Sequence, residues 1–223
     1  MDRKLFLQAV IKFLFGFLIV GCLLFLSAAS FSYWNAWLFM GLLFIPMFFG
    51  GLILVFKNPD LLRKRLEARE KEKEQKIVIF LSAVMFVIGF LVAGFNYRFQ
   101  WLKLSNVVVI VSSILFVIAY LLYAEVLREN AFLSRTIGVD KQQRVVDTGL
   151  YGIVRHPMYL ITILLFLVMP LILGSIQSFF IFLLYPILIV KRIQNEEKIL
   201  EKGLNGYQKY QEKVRYKLIP YIW

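Results

Sequence analysis

Two stretches of this 223-residue chain bring together residue types that can hold or transform a small molecule. One runs through Gln143-Arg144-Val145-Val146-Asp147-Thr148-Gly149-Leu150-Tyr151 to Arg155-His156-Pro157-Met158-Tyr159. The other holds Arg192, Glu196, Glu197 and Leu200, then Tyr207 and Tyr210, and ends past Pro220. Proline disfavours helix in the residue before it and suits the first helical turn itself. His156 is therefore expected at the cap of a helix that begins at Pro157. Free backbone N–H groups at such an end favour an anion, and Arg155 and His156 add donors. That is a seat for a carboxylate, such as that of an amino-acid-like cofactor. The same residues also suit a headgroup-facing interface with Tyr159 in an aromatic belt. Arg192 and Glu196 are four apart and share a helix face, with Glu197 about a quarter-turn away. Together they could hold a zwitterion or a substrate carboxylate, or form a plain intrahelical ion pair of ~0.3–0.5 kcal/mol. Tyr207, Tyr210, Tyr216, Tyr221 and Trp223 could anchor the chain at an interface or face a cation through their rings.

These segments need elements to position them, and composition says which. About 60% of the residues are apolar and 22 are Phe, against ~45–50% apolar in a soluble domain. A soluble globular protein, a disordered chain and a collagen-like repeat are excluded. The single Cys excludes an intrachain disulfide framework, and the single His excludes a His cluster. No metal site is expected. A membrane crossing needs ~20 mostly apolar residues. The candidates are 13–31, 37–56, 77–95 and 104–127, followed by an apolar stretch at 158–190. The last is too long for one crossing and carries Gly174, Ser175 and Gln177 at its middle. It is expected to fold as a hairpin, 157–173 and 176–191, with its second arm continuing as helix to about Lys202. The predicted fold is an all-α polytopic membrane bundle of about six transmembrane helices, with a C-terminal cytoplasmic helix and tail.

Charge supports that arrangement. The N-terminal segment holds three Lys/Arg, the loop 57–76 eight, the loop 128–156 five and the tail from Lys191 eight. The remaining two, Arg98 and Lys103, lie on the opposite side. The positive-inside rule puts both termini in the cytoplasm, and the cytoplasmic (inner) membrane is the expected location. The net charge of +12 is then a topology signal, and no nucleic-acid partner is expected. The loop 57–76, charged on all faces, is expected to be a solvated helix or connector against anionic headgroups. Arg3, Lys4 and the run ending in Ile19-Val20-Gly21-Cys22 have the look of a cleaved leader. Lys12 interrupts that pattern and further spans follow, so cleavage is not expected, and Cys22 is expected to face lipid or pack. The chain divides into a four-helix membrane region, 1–127, with its basic loop 57–76, and a catalytic region, 128–223.

Taken together, Gly149-x-Tyr151, Arg155-His156-Pro157-x-Tyr159, an apolar hairpin, Arg192-x-x-x-Glu196-Glu197-x-x-Leu200, Tyr207-x-x-Tyr210 and Pro220 resemble the isoprenylcysteine carboxyl methyltransferase family and its relatives, the phospholipid methyltransferases. The resemblance covers about 128–223; the first four spans match only in hydropathy. It implies an integral membrane methyltransferase using S-adenosylmethionine, held at the cytoplasmic end of the last helices under the C-terminal segment. It further implies cofactor contacts at Gln143, Arg144, Val145, Val146, Tyr151, His156, Pro157, Met158, Tyr159 and Glu196. Arg192 aligns with a residue of substrate contact. Asp140 stands near a cofactor-contacting Gln of a relative, and Gly203-Leu204-Asn205-Gly206 departs from the family's usual Phe-Gly.

The expected reaction is methyl transfer to a lipophilic or lipidated substrate entering from the bilayer, through a carboxylate or an amine. Membrane lipids are the other expected partners. Competing readings are a small transporter, disfavoured because the span centres lack ionisable residues, a scaffold without chemistry, and a nicotinamide-dependent reductase of related architecture.

Overall fold

The computed structural model describes residues 2–67, 70, 72–139 and 142–223. Asp140 and Lys141, and with them the expected contact near Asp140, lie outside the described residues, as do Arg69 and Lys71 of the basic loop. The described chain is helical throughout its regular parts. Helix α1 spans Arg3–Ala28 and α2 Trp34–Lys57; a short α3 spans Pro59–Leu66; α4 runs Lys73–Phe99 and α5 Asn106–Glu129. After a long loop and a 3-10 turn at Gly149–Gly152 come α6 (Pro157–Ile172), α7 (Ile176–Phe182), α8 (Leu184–Gly203) and α9 (Tyr207–Lys213).

Among the described residues, five helical stretches are long and apolar enough to cross a membrane: α1, α2, α4, α5 and the continuous pair α7–α8. Helix α6 is equally apolar but shorter. Many large apolar side chains point outward, among them Phe15, Leu18, Ile53, Phe80, Val107 and Ile187. In water such a surface would be costly at ~25 cal/mol per Å²; in a bilayer it is the contact surface. Cys22 is exposed on this face.

The first helix begins ten residues before the expected span. Lys12 does not interrupt it, because its long side chain snorkels to the carbonyl of Leu66. The Asp2 side chain caps the start, accepting from the backbone N–H of Lys4 and Leu5 at 3.0 and 3.3 Å. The expected hairpin is present, with its turn at Gly174 (φ +74°), which favours glycine. Ser175 caps the return helix through Ser178 N–H at 3.2 Å.

The basic loop departs from expectation. Its α3 buries Leu61 and Leu62 rather than lying free in solvent. Leu62 packs with Leu5 and Val55. Arg63 to Arg65 occupy the remaining face, and Arg65 turns towards the end of α6.

Polar ties fix the hairpin's far end. Tyr33 donates to the carbonyl of Leu173 at 2.5 Å, and Asn35 to that of Ile172 at 2.8 Å. Asn96 donates to the carbonyl of Gly174 at 3.1 Å. These are orphan carbonyls at a helix end, which need partners when buried. One continuous apolar core reaches from Leu24 on α1 through Phe39, Phe116 and Phe182 to Leu218 in the tail. The two expected regions thus pack on a common core, and α6 is held at both ends.

Candidate functional site

At the near end of the hairpin, the C-terminal tail closes over the start of α6. Backbone N–H groups of Arg155 and His156 donate to the carbonyls of Tyr216 and Lys217 at 2.9 and 2.8 Å. The guanidinium of Arg155 donates to the carbonyls of Val214 and Arg215 at 2.7 and 2.9 Å, and through Nε to Glu197 Oε1 at 2.8 Å. His156 Nε2 meets the same carboxylate oxygen at 3.1 Å, and Lys217 Nζ meets Oε2 at 2.8 Å. Arg155, His156 and Glu197 are 7%, 6% and 4% exposed.

This corrects two expectations. Arg155 and His156 are not a headgroup-facing edge; they are interior. Nor do they present a free anion seat, because the chain's own Glu197 supplies the anion and tail carbonyls take both backbone donors. A buried ion cluster survives only when every charge is hydrogen-bonded, as here. The role of Glu197 was missed in the sequence; the signal was a second acid directly after Glu196, on a helix whose Ile189 and Ile193 face inward.

Beside this clamp lies a cavity of about 90 Å³, within a cleft of about 760 Å³ that includes its open mouth. The enclosed 90 Å³ is smaller than the ~300–1,000 Å³ of typical ligand clefts, so a ligand of cofactor size must also fill the open mouth. Gln143, Arg144, Val145, Val146, Tyr151, His156, Met158, Tyr159 and Glu196 all line it. Four separate sequence segments therefore converge on one space. Pro157 does not line it; it is buried as the first residue of α6, where it sets the helix start. Arg192 does not line it either, but stands one residue away in space, its Nε donating to Tyr159 Oη at 2.9 Å. Tyr159 in turn donates to Glu196 Oε2 at 2.6 Å. Arg192 and Glu196 are thus joined through a phenol and not as the simple ion pair that spacing alone allows. The rings of His156 and Tyr159 stack at 5.7 Å, 28° between planes.

The walls are specific. Gly149 sits at φ +51°, where a Cβ would fall 1.4 Å from Glu129 Oε1; that carboxylate accepts from Leu150 N–H at 3.2 Å. Only glycine permits this turn, which aims Tyr151 inward. Across the cleft, Tyr207 and Tyr210 pack with Leu204 and Val214, and with Val139 and Val145 of the loop. Tyr210 donates to the carbonyl of Tyr151 at 2.7 Å. The hydroxyl of Tyr207 is buried with no hydrogen-bond partner, and that of Tyr151 is buried with only the Asn130 side chain in reach. Burial raises the pKa of both phenols, so each stays a neutral donor. Tyr207 lay among the tail aromatics whose role spacing left open; here it is a wall of the cleft. Buried orphan hydroxyls are rare and call for a ligand or water. Among the described residues no group of His, Cys, Asp and Glu is arranged to hold a metal ion.

What can such a cleft hold? It offers aromatic faces, a carboxylate at Glu196, two buried hydroxyl donors and a guanidinium at Arg144. These fit a molecule carrying a positive centre, amine and hydroxyl groups and a flat ring. S-adenosylmethionine has that chemistry.

Comparison with known proteins bears on the same region. Residues 107–206 match the model of the phospholipid methyltransferase family. The resemblance read from the motifs is therefore present in the family comparison, and it implies a membrane methyltransferase. The match runs from α5 to the residue before Tyr207. The chain is also 31% identical over 91 residues to the Delta(14)-sterol reductase of Mus musculus. That alignment takes in 40% of this chain but 22% of the reductase, so the chain spans about a fifth of that relative's length.

Proposed function

We propose that this protein is an S-adenosylmethionine-dependent methyltransferase acting on a lipophilic substrate within a membrane. The observation that carries the reading is the convergence of Gln143–Val146, Tyr151, His156, Met158, Tyr159 and Glu196 on one cleft that contains the buried hydroxyl of Tyr151 and the buried, unpartnered hydroxyl of Tyr207. The proposed topology has six crossings, α6 being the shortest, with both termini on the cytoplasmic side of the cytoplasmic membrane. The proposed division of labour places four helices in 1–127 as scaffold and the chemistry in 128–223.

Each residue has a role that its geometry supports. Glu196 accepts from an amine or hydroxyl of the cofactor, with its second oxygen held by Tyr159. Tyr151 and Tyr207 donate to polar atoms of the cofactor. His156 and Tyr159 supply stacked faces, and a cation over such a face gains ~0.5–2 kcal/mol. Gln143, Arg144, Val145, Val146 and Met158 close the sides, and Pro157 fixes the helix end that carries His156 and Met158. When bound, the cofactor supplies a methyl group activated by a sulfonium leaving group. Arg192 orients an anionic group of the acceptor beside Tyr159. The buried walls exclude water, so an acceptor carboxylate and a cation that cancel each other's charge are favoured over separated, solvated ions; positioning contributes much of the remaining rate. A carboxylate acceptor needs no base, whereas an amine must arrive deprotonated.

The similarity to a sterol reductase favours one second reading, a nicotinamide-dependent reductase using the same cleft. Calorimetry on purified protein with S-adenosylhomocysteine and with NADPH separates the two. Methyl transfer predicts binding of the first and not the second; the reverse result would replace the proposed reaction with reduction.

A further inference from the structure

One wall of the cleft is a loop with little regular structure of its own, and its backbone groups need partners. Leu133, Ser134, Thr136 and Ile137 line the cleft from that loop. Much of what holds them comes from the stretch that begins in α3 and leads to α4. The backbone N–H of Arg135 donates to the carbonyl of Lys64 at 3.3 Å. Ile137 N–H donates to Glu70 Oε2 at 3.2 Å, and that acid is buried. The Lys64 ammonium stands 5.1 Å from the centre of the Phe132 ring. Arg65 Nη1 reaches the Ser134 carbonyl at 3.5 Å, and Met158 Sδ in the first turn of α6 at 3.7 Å. Its Nη2 donates to Tyr123 Oη on α5, and the guanidinium also lies over that ring.

One guanidinium thus joins α5, the cleft loop and the start of α6. A planar fork with donors pointing several ways suits that task; an ammonium is a compact point charge without that spread. Two of the groups it touches, Ser134 and Met158, line the cleft. A methionine side chain has three rotatable bonds and fills gaps readily. Untethered, Met158 is free to turn into the enclosed space of about 90 Å³ that it borders. The base of this grip is itself fixed. Leu62 packs with Leu5 and Val55, Lys12 donates to the Leu66 carbonyl, and Arg63 pairs with Asp2 at 2.6 Å. Anchored on α1, the stretch holds the cleft loop on its other side. Lys64, Arg65 and Glu70 all lie outside the 107–206 region of family similarity.

We propose that Arg65 is a positioning residue for the cleft: with Lys64 and Glu70 it buttresses the loop wall, and it holds Met158 clear of the enclosed space. None of the three lines the cleft; Arg65 acts through Ser134 and Met158. The first half of the chain then sets the shape of a site whose walls belong to the second half. That the ligand is S-adenosylmethionine rests on the proposed function; the buttress rests on these contacts alone.

Amide hydrogen exchange and S-adenosylhomocysteine binding, both on the purified full chain in detergent, test this. Without ligand, Arg65→Gln should speed exchange across 131–139 about tenfold, with little change in the tail at 214–218. It should weaken S-adenosylhomocysteine about 5–10-fold. Met158→Leu removes the sulfur at nearly constant volume and completes a double-mutant cycle. In that background Arg65→Gln should weaken binding only about twofold, a coupling that a plain loss of stability would not produce. Arg65→Lys keeps the charge and stem without the fork. It should lose most of the affinity that Arg65→Gln loses, and it tests the buttress where Arg65→Gln disturbs folding. Unchanged exchange across 131–139 overturns the buttress, whatever the affinity. Faster exchange with unchanged affinity, or wild-type affinity in Arg65→Lys, overturns the positioning role. Multiplicative effects in the cycle overturn the hold on Met158. If wild type ignores S-adenosylhomocysteine, the cofactor reading falls, and faster exchange in Arg65→Gln leaves the buttress standing.

Discussion

Two charged clusters sit at the same end of the helical hairpin and have opposite characters. Around Glu197, one carboxylate is shared by Arg155, His156 and Lys217; every group is engaged, and all but the partly exposed Lys217 are buried. Around Arg192, the guanidinium donates to Tyr159, to Gln75 and to the carbonyl of Arg135, with Glu196 and Glu70 in electrostatic reach, and the buried amide donor of Gln75 lacks a partner. The first cluster has its charges satisfied within itself and gives the cleft little beyond the ring of His156; it staples the tail over α6. The second leaves one buried donor, Gln75 Nε2, unpaired. Adjacent acids, Glu196 and Glu197, thus serve different ends, because a quarter-turn of helix points one into the cleft and the other into the clamp.

Breaking the closed cluster should have the largest effect. Glu197→Ala strands buried Arg155 and His156 without their anion, a loss of about 3–5 kcal/mol. Thermal unfolding in detergent should show a large drop, and limited proteolysis should cut the tail beyond Val214. A variant as stable as wild type would mean that the tail is held by other contacts. Next comes Glu196→Ala, which removes a charged acceptor from the cleft. S-adenosylhomocysteine should bind about 10–100-fold more weakly, from ~1.5–3 kcal/mol for a charged hydrogen bond, with much less loss of thermal stability than Glu197→Ala. Equal behaviour of the two variants would erase the contrast between the acids.

A smaller and opposite pair of effects is expected for Tyr207→Phe. Deleting an unsatisfied buried hydroxyl should leave the ligand-free protein as stable or about 1 kcal/mol more stable, yet weaken S-adenosylhomocysteine about fivefold. Loss of stability without loss of affinity would assign that hydroxyl to the fold. The smallest effect concerns the exposed pair Lys213–Asp147, 2.6 Å apart. The hydrogen bond from Lys213 holds the Asp147 carboxyl below its usual value of 3.8. A depressed acid contributes stability above its unfolded pKa and loses it as pH falls through the folded one. Protease resistance of the tail should therefore show no pH dependence from this pair between pH 5 and 8, where its small contribution is fully present, and Asp147→Asn should differ from wild type there only slightly.

Much of the fold was legible because lipid makes hydropathy a direct report of helix position. The hairpin turn at Gly174-Ser175 and the helix start at Pro157 were legible from turn and capping chemistry. The start of α1 was not, because Lys12 reads as an interruption until its snorkelling reach is seen. Within the cleft, Tyr151, His156, Tyr159 and Glu196 stood out by residue type and order. Glu197, Tyr207 and above all Gln75, Arg65 and Arg135 did not. Their meaning depends on which distant element each meets, and a charged loop looks solvated until Leu61 and Leu62 anchor it. A lone amide at the start of an apolar helix, as at Gln75, was the one local sign that the first half of the chain contributes to the site.

The cleft itself is most directly tested by ultraviolet cross-linking of S-adenosylmethionine labelled in its methyl group to the purified protein, followed by peptide mapping. The account predicts label on peptides covering 143–159 and 196–210, competed away by S-adenosylhomocysteine and much reduced in Glu196→Ala. Label confined to other peptides, or none that the competitor removes, would contradict it.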